Sequence, residues 1–330
     1  MTTIINLFEN SVNKFSNNTF LWEKKANKFE PSSYSQVFDE VKRFAAGLLA
    51  IGVKKGDRIA LLSEGRNYWV ESELAILYTG AINVPLSIKL DAGTDLKFRL
   101  AHSGTKMIIV SNNQAGKIKQ IKNDLPELEK VIYLDAQEDY GNDEMFIDDI
   151  LKLGEDYLQG NTEVFEQTKN AVQPNDLANI SYTSGTTADP KGIMLTHRNY
   201  TANVEQACSL MDIPEHYKTL LILPLDHSFA HTAGIYSFMA YGASLAFVQT
   251  GKTGMETLKN IPVNIKEIKP NLLLSVPALA KSFKKNIEKG IQEKGATAEK
   301  LFNFALKLAY GYNKEGITKV VFYISGKNLC

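Results

Sequence analysis

The chain has 330 residues, 44% hydrophobic and 22% charged, which supplies a sizeable folded core and excludes a disordered chain. Lysine plus arginine balance aspartate plus glutamate at 37 each, so no overall field draws the chain toward nucleic acid and any anion site must be built locally. Its 2 cysteines, Cys208 among apolar neighbours and Cys330 at the last position, exclude a disulfide framework and fit a reducing, cytoplasmic setting.

At the start, Ile4, Ile5, Phe8, Val12 and Phe15 recur at helical spacing with no basic stretch before them, which predicts a docking helix and not a signal peptide. Ser33 followed by Gln36 is a capping-box pattern, and Val37, Val41, Phe44, Ala45, Leu48 and Leu49 then line one helix face as far as Gly52. IALLS predicts a strand, the stretch through Trp69, Leu74 and Leu77 a helix, and AINVPLS a strand that Pro85 helps to end. A helix closed by Ser103 and Gly104, the strand KMIIV, the helix GKIKQIKNDL and the strand KVIYLD continue the alternation. Such alternation predicts a mainly parallel sheet with helices on both faces.

From Ala136 to about Pro174 the chain is acidic and polar with weak periodicity, and it reads as a variable connection. The predicted division is therefore a first α/β subdomain over 1–174 and a second over 175–330. In the second, ANISYT, TLLIL, SLAFV and NLLLSV are strand candidates for a further sheet. Lys281 to Lys319 is lysine-rich and helical in pattern, with Leu301, Phe304, Ala305 and Leu308 as its apolar stripe, and it reads as a solvated helix pair. The longest apolar run, Gly234 to Val248, is broken by Tyr241, Gly242 and Ser244 and is too short to span a bilayer, which leaves peripheral membrane contact open.

The most informative segment is YTSGTTADPKGIMLTH, Tyr182 to His197, between a predicted strand and a predicted helix. Such a loop opens at the carboxyl edge of a parallel sheet, where α/β folds bind ligands. Thr183, Ser184, Thr186 and Thr187 place hydroxyls around Gly185, whose missing side chain lets amides approach an anion, and Lys191 adds a positive charge. A mononucleotide P-loop is excluded, because Lys191 is preceded by Pro190 and followed by Gly192. Taken one residue at a time, the segment is equally a hydroxyl-rich turn with a solvent-facing lysine. As a whole string it closely resembles the phosphate-binding signature of the adenylate-forming superfamily, which includes acyl- and aryl-CoA synthetases, luciferases and peptide-synthetase adenylation domains. Ala188 stands where that family usually has glycine. SYSQVFDEVKRFAAGLLAIGVKKGDRIAL and GAINVPLS resemble the family's N-terminal stretches, so the resemblance covers nearly the whole chain.

A second family-like motif is LPLDHSFAHTAG, Leu223 to Gly234. Without the family, His227 and His231 lie four apart and could chelate a metal on one helical face, although Ser228 replaces the glutamate of a zinc-protease motif. The resemblance instead puts His227 beside the acyl carboxylate and the nucleotide. Ala230, Ala233, Gly234, Ala240, Gly242 and Ala243 leave room for a long acyl chain, although ordinary helix packing uses the same small residues.

The resemblance implies a two-step reaction: a carboxylate attacks the α-phosphate of ATP to give acyl-AMP and pyrophosphate, and the thiol of coenzyme A then displaces AMP. It implies Thr183 and Lys191 as catalytic residues, with Thr183 on the magnesium side together with a glutamate beyond this chain. Ser184, Gly185, Thr186 and Thr187 would complete the cradle for the ATP phosphates, and His227, Ala233 and Gly234 would meet the acid. The lysine-rich segment looks like the long-chain fatty acid branch, a short-chain or aryl acid being the alternative. The implied fold is the N-terminal part of the adenylate-forming enzymes, two α/β subdomains without the family's mobile C-terminal domain. FYISGKNLC resembles the start of the family's next strand, so the chain alone is expected to fold in its first subdomain and to make no acyl-CoA. A non-catalytic acyl- or nucleotide-binding module remains a reading of another class. An oxidoreductase is discarded, since IALLSEGRN lacks the glycine fingerprint that a dinucleotide site needs after its first strand.

Overall fold

A computed structural model describes residues 2–183, 189–251, 253–275 and 277–315. Met1–Leu274 form one compact unit and Ser275–Cys330 a second. The first unit opens with helix α1 (Ile4–Phe15), where Thr3 and Asn6 exchange the two bonds of a capping box. It is followed by a hairpin of strands β1 (Thr19–Lys25) and β2 (Lys28–Ser33) that the sequence reading did not find. Helix α2 (Tyr34–Ala50) starts on the predicted Ser33–Gln36 capping box, and Gly52 beyond it takes a positive φ of 97°.

The alternation then runs as expected through β3 (Arg58–Leu62), α3 (Asn67–Tyr78) and β4 (Ile82–Pro85). A π-helical turn (Ala92–Leu96) leads into α4 (Lys97–Ser103), which Gly104 closes in the left-handed region. Next come β5 (Met107–Val110), α5 (Asn112–Ile121), β6 (Lys130–Tyr133) and β7 (Glu144–Phe146). Where a variable polar connection was expected, the structure has a long helix, α6 (Ile147–Asn170), kinked at Asn161. Its acidic residues form a solvent face that hides the stripe of Ile147, Ile150, Leu151 and Phe165. Gly154 and Gly47 of α2 let the two helices touch along their backbones: a Cβ on Gly154 would stand 1.8 Å from the Arg43 carbonyl oxygen.

Strands β8 (Leu177–Thr183) and β9 (Lys191–Thr196) extend this first sheet, so the order is β7-β6-β5-β3-β4-β8-β9. All neighbours are parallel except β8 and β9. The 174/175 position thus falls inside the first unit, because β8 pairs with β4 through Asn83 and Asn179. Helix α7 (His197–Leu210) precedes β10 (Lys218–Leu221), and a π-helical segment (Ala230–Tyr236) runs into α8 (Ser237–Ala240) before β11 (Ser244–Phe247). These later strands do not form a sheet of their own; they join the early hairpin in the order β10-β11-β1-β2. NLLLSV supplies an isolated bridge from Leu272 to Thr219, and α9 (Gly254–Ile268) lies before it.

One core of the first unit includes Phe8, Phe20, Tyr34, Phe44, Trp69 and Phe238, all fully or almost fully buried. Tyr34 keeps its hydroxyl satisfied there by donating to the Ala243 carbonyl at 2.8 Å, which ties α2 to the approach to β11. The second unit contains helices α10 (Pro277–Gln292) and α11 (Ala296–Glu315), with Leu301, Phe304 and Leu308 exposed. Among the described residues no helix is long and apolar enough to cross a membrane.

Candidate active site

Because β3, β4, β5, β6 and β8 are parallel, their carboxyl ends share one edge of the sheet. Thr183 is the last residue of β8 and pairs in register with Lys191, the first of β9; both side chains are exposed. Thr183 and Lys191 thus stand opposite each other at the end of the β8–β9 pairing; β9 occupies a stretch expected to be loop, and the helix expected after the string begins at its last residue, His197. Ser184, Gly185, Thr186 and Thr187 lie outside the described residues. The base of the hairpin is anchored. The Tyr182 hydroxyl lies 2.8 Å from His102 Nδ1 and donates to the Arg99 carbonyl at 3.3 Å. Burial raises the Tyr182 phenol above its ordinary range. Its partner across the rung is Gly192, where a Cβ would come within 3.4 Å of the Tyr182 ring, so the glycine lets that ring lie over β9.

Helix α7 starts on a capping box between Thr196 and Asn199. The buried His197 accepts the Ile4 N–H on Nδ1 at 3.4 Å, and desolvation pushes its imidazole down to about 4, so it joins α1 to α7 as a neutral ring. The second motif forms a turn after β10. His227 is exposed there, its N–H donates to Pro224 O at 3.3 Å, and its Nδ1 accepts the Phe229 N–H at 3.2 Å. That leaves Nε2 as the N–H donor of the ring.

His231, by contrast, is fully buried. Its Nε2 donates to the Leu225 carbonyl at 2.8 Å, and its Nδ1 lies 2.7 Å from Glu73 Oε1 on α3. Burial alone would lower this imidazole, but the facing Glu73 carboxylate outweighs it and raises the group above its ordinary value. With both ring nitrogens engaged, His231 has none to share with His227 for a metal. Among the described residues no group of three histidine, cysteine or acidic side chains could hold a metal ion.

The two motifs meet along a groove of about 430 Å³, lined by Leu195 of β9, Tyr200 and Leu210 of α7, and Phe229, Thr232 and Ala233. Ala233 lines it but Gly234 does not: a Cβ on Gly234 would stand 2.5 Å from Leu221 Cδ1, so its bareness serves packing on β10. Gly242 likewise packs against the Phe15 ring, and Ala230 and Ala243 are buried. Most of the small-residue run thus serves packing.

A second cleft, about 540 Å³, lies where the chain leaves β3 for β4 on one side while β5 lies on the other. Its charges are spent internally. Arg66 Nη1 donates to both Asp135 oxygens at 2.8 and 2.9 Å, and Glu64 accepts from Ser111 and Gln114 at 2.6 Å each.

Tyr200, Phe229 and Glu73 were not found from sequence. The signal for Glu73 was its place in VESELAIL, since a carboxylate within a buried apolar run needs a buried partner. Tyr200 carried no such signal.

The chain is similar to several known proteins. Long chain acyl-CoA synthetase 8 of Arabidopsis thaliana is 28% identical over 91% of this chain and 45% of its own length. Long-chain-fatty-acid–CoA ligase ACSBG2 of Xenopus laevis is 24% identical over 90% of this chain and 40% of its own. The chain thus spans a little under half the length of these relatives. Among solved structures, coronafacic acid ligase from Pectobacterium brasiliense superposes with a TM-score of 0.72 at 21% identity, over 87% of this chain and 52% of that one. The anthranilate CoA ligase AuaEII in complex with anthranoyl-AMP gives 0.69 at 20% identity, over 82% and 49%. Residues 8–320 match the AMP-binding enzyme family, and the chain belongs to that family.

Proposed function

We propose that the protein activates a long-chain fatty acid as its acyl adenylate and passes the acyl group to coenzyme A. The observation that carries this reading is the groove that Leu195 of β9 lines together with Ser228 and Phe229 of the His227 turn, Lys191 and His227 themselves standing outside its lining. In the first step one carboxylate oxygen bonds to the α-phosphorus of ATP and pyrophosphate leaves. In the second the coenzyme A sulfur attacks the carbonyl carbon and AMP leaves. Negative charge shifts among phosphoryl oxygens in the first step, where Lys191 and the Thr183 hydroxyl, on one rung, are suited to hold and neutralise them. His227, with Nε2 free to donate, would orient the acid carboxylate, and the chain of the acid would lie along Tyr200, Phe229 and Ala233. Among the described residues no cluster of acidic side chains completes a magnesium site around the Thr183 hydroxyl.

Preference for long aliphatic acids is supported by the names of the relatives and by a groove with apolar Leu210 and Phe229 along its open side. The test is thioester formation by the full-length gene product with ATP, magnesium and coenzyme A, across saturated acids of increasing length and a set of aromatic acids. Rates that peak with long chains are expected. A peak with aromatic or short acids would overturn the substrate assignment, and no thioester with any acid would overturn the function.

A further inference from the structure

The Glu73 and His231 side chains are 1% and 0% exposed, and the function proposed above gives them no role. A buried ion pair is a poor stabiliser compared with a packed apolar pair, because desolvation cancels much of the attraction. Its geometry is more informative. The Leu225 carbonyl can only accept, so Nε2 of His231 carries a proton; Nδ1 lies 2.7 Å from Glu73 Oε1, a distance at which the two groups must share a proton. Asn83 donates to the same Glu73 oxygen at 3.1 Å and fixes it from β4. Trp69 meets the imidazole ring edge-on at 5.2 Å, and Tyr200 stacks on it at 5.8 Å. One end of this clamp thus holds the carbonyl two residues before His227, and its face supports the tyrosine that lines the groove.

We propose that Glu73 and His231 form a positioning pair that sets the His227 turn and the Tyr200 wall for the acid, without touching substrate themselves. This rests on the function proposed above. The pair links α3 to the turn through the Leu225 carbonyl, whereas the other bonds of the turn, from the His227, Phe229 and Ala230 N–H groups, are local to it.

The test uses acid-dependent pyrophosphate exchange by the full-length gene product. In His231→Ala, kcat/KM for the acid should fall on the order of a hundredfold, the scale of an ångström-sized misplacement, while the KM for ATP stays unchanged. Glu73→Gln, whose amide can donate to a neutral His231 that still holds Leu225, should stay close to the parent. If His231→Ala does not fold, His231→Gln replaces it, since its amide is too compact to bridge both partners, and the same split decides. An unchanged KM and kcat for the acid, an equal rise in both KM values, or a Glu73→Gln as damaging as His231→Ala would each overturn the positioning pair. A parent without exchange would sink the function and the pair together, whereas exchange in the parent with unaffected variants would sink the pair alone.

Discussion

The crossing of α2 and α6 gives opposite predictions from local and tertiary physics, so its sign is a sharp test. Replacing a helical glycine by alanine stabilises an exposed helix by about 1 kcal/mol. At Gly154, however, the added Cβ would stand 1.8 Å from the Arg43 carbonyl oxygen and 2.7 Å from the Gly47 nitrogen. Both are backbone atoms of α2, so no rotamer change relieves the clash, and α2 cannot retreat without lifting Val41, Phe44 and Leu48 out of the core. Overpacking of this kind costs roughly 3 kcal/mol or more, so Gly154→Ala should destabilise the chain by about 2 kcal/mol net. Gly116 in α5 is the control: its Cβ would meet nothing within 4 Å, and Gly116→Ala should gain roughly 0.5–1 kcal/mol. Urea unfolding of the 330-residue chain, followed by the fluorescence of the buried Trp69, measures both. A Gly154→Ala chain as stable as the parent, beside a stabilised Gly116→Ala, would refute the close backbone contact.

Burial, with the negative charges of Glu40 and Glu23 adding, pushes the Glu71 carboxyl up to about 8, so the folded chain holds a proton that the unfolded chain has lost between pH 4.5 and 8. Stability therefore falls as pH rises through that window, by up to about 5 kcal/mol, and Glu71→Gln should remove the fall. Parallel stability curves for parent and variant from pH 5 to 8 would show that Glu71 is not the source. Thr183→Ala in the full-length gene product should slow adenylation on the order of a hundredfold while acid binding changes little, because contacts to phosphoryl charge act mainly in the transition state. An unchanged rate would assign Thr183 to strand pairing.

Elements whose signals are local were legible in the sequence. The Ser33–Gln36 capping box, the Gly104 helix end and the apolar strands at 58–62, 107–110 and 130–133 all lie where periodicity and turn chemistry put them. Features that depend on a distant partner were hidden. Helix α6 is polar on average, and its closest approach to α2 is at Gly154, which has no hydrophobic signature at all. Strand β9 alternates only weakly because Ile193 and Met194 are both exposed on the edge strand, so the whole string as far as His197 read as a loop. The hairpin β1–β2 ends in lysines and glutamates and is held by β11, more than 200 residues away. For the candidate site, the hydroxyl-rich string and the His227 motif were readable by resemblance. Their meeting in one groove, and the engagement of His231 by Glu73, follow only from the fold.

The central claim is that an acid oxygen becomes bonded to the phosphorus of AMP, and oxygen labelling follows that bond directly. The full-length gene product would be given a long-chain fatty acid with ¹⁸O in both carboxylate oxygens, together with ATP, magnesium and coenzyme A, and the products weighed by mass spectrometry. Attack on the α-phosphorus, followed by thiol displacement at the carbonyl carbon, leaves one ¹⁸O in AMP and one in the thioester. Label in inorganic phosphate with formation of ADP, or thioester formed with unlabelled AMP, would contradict the acyl-adenylate route.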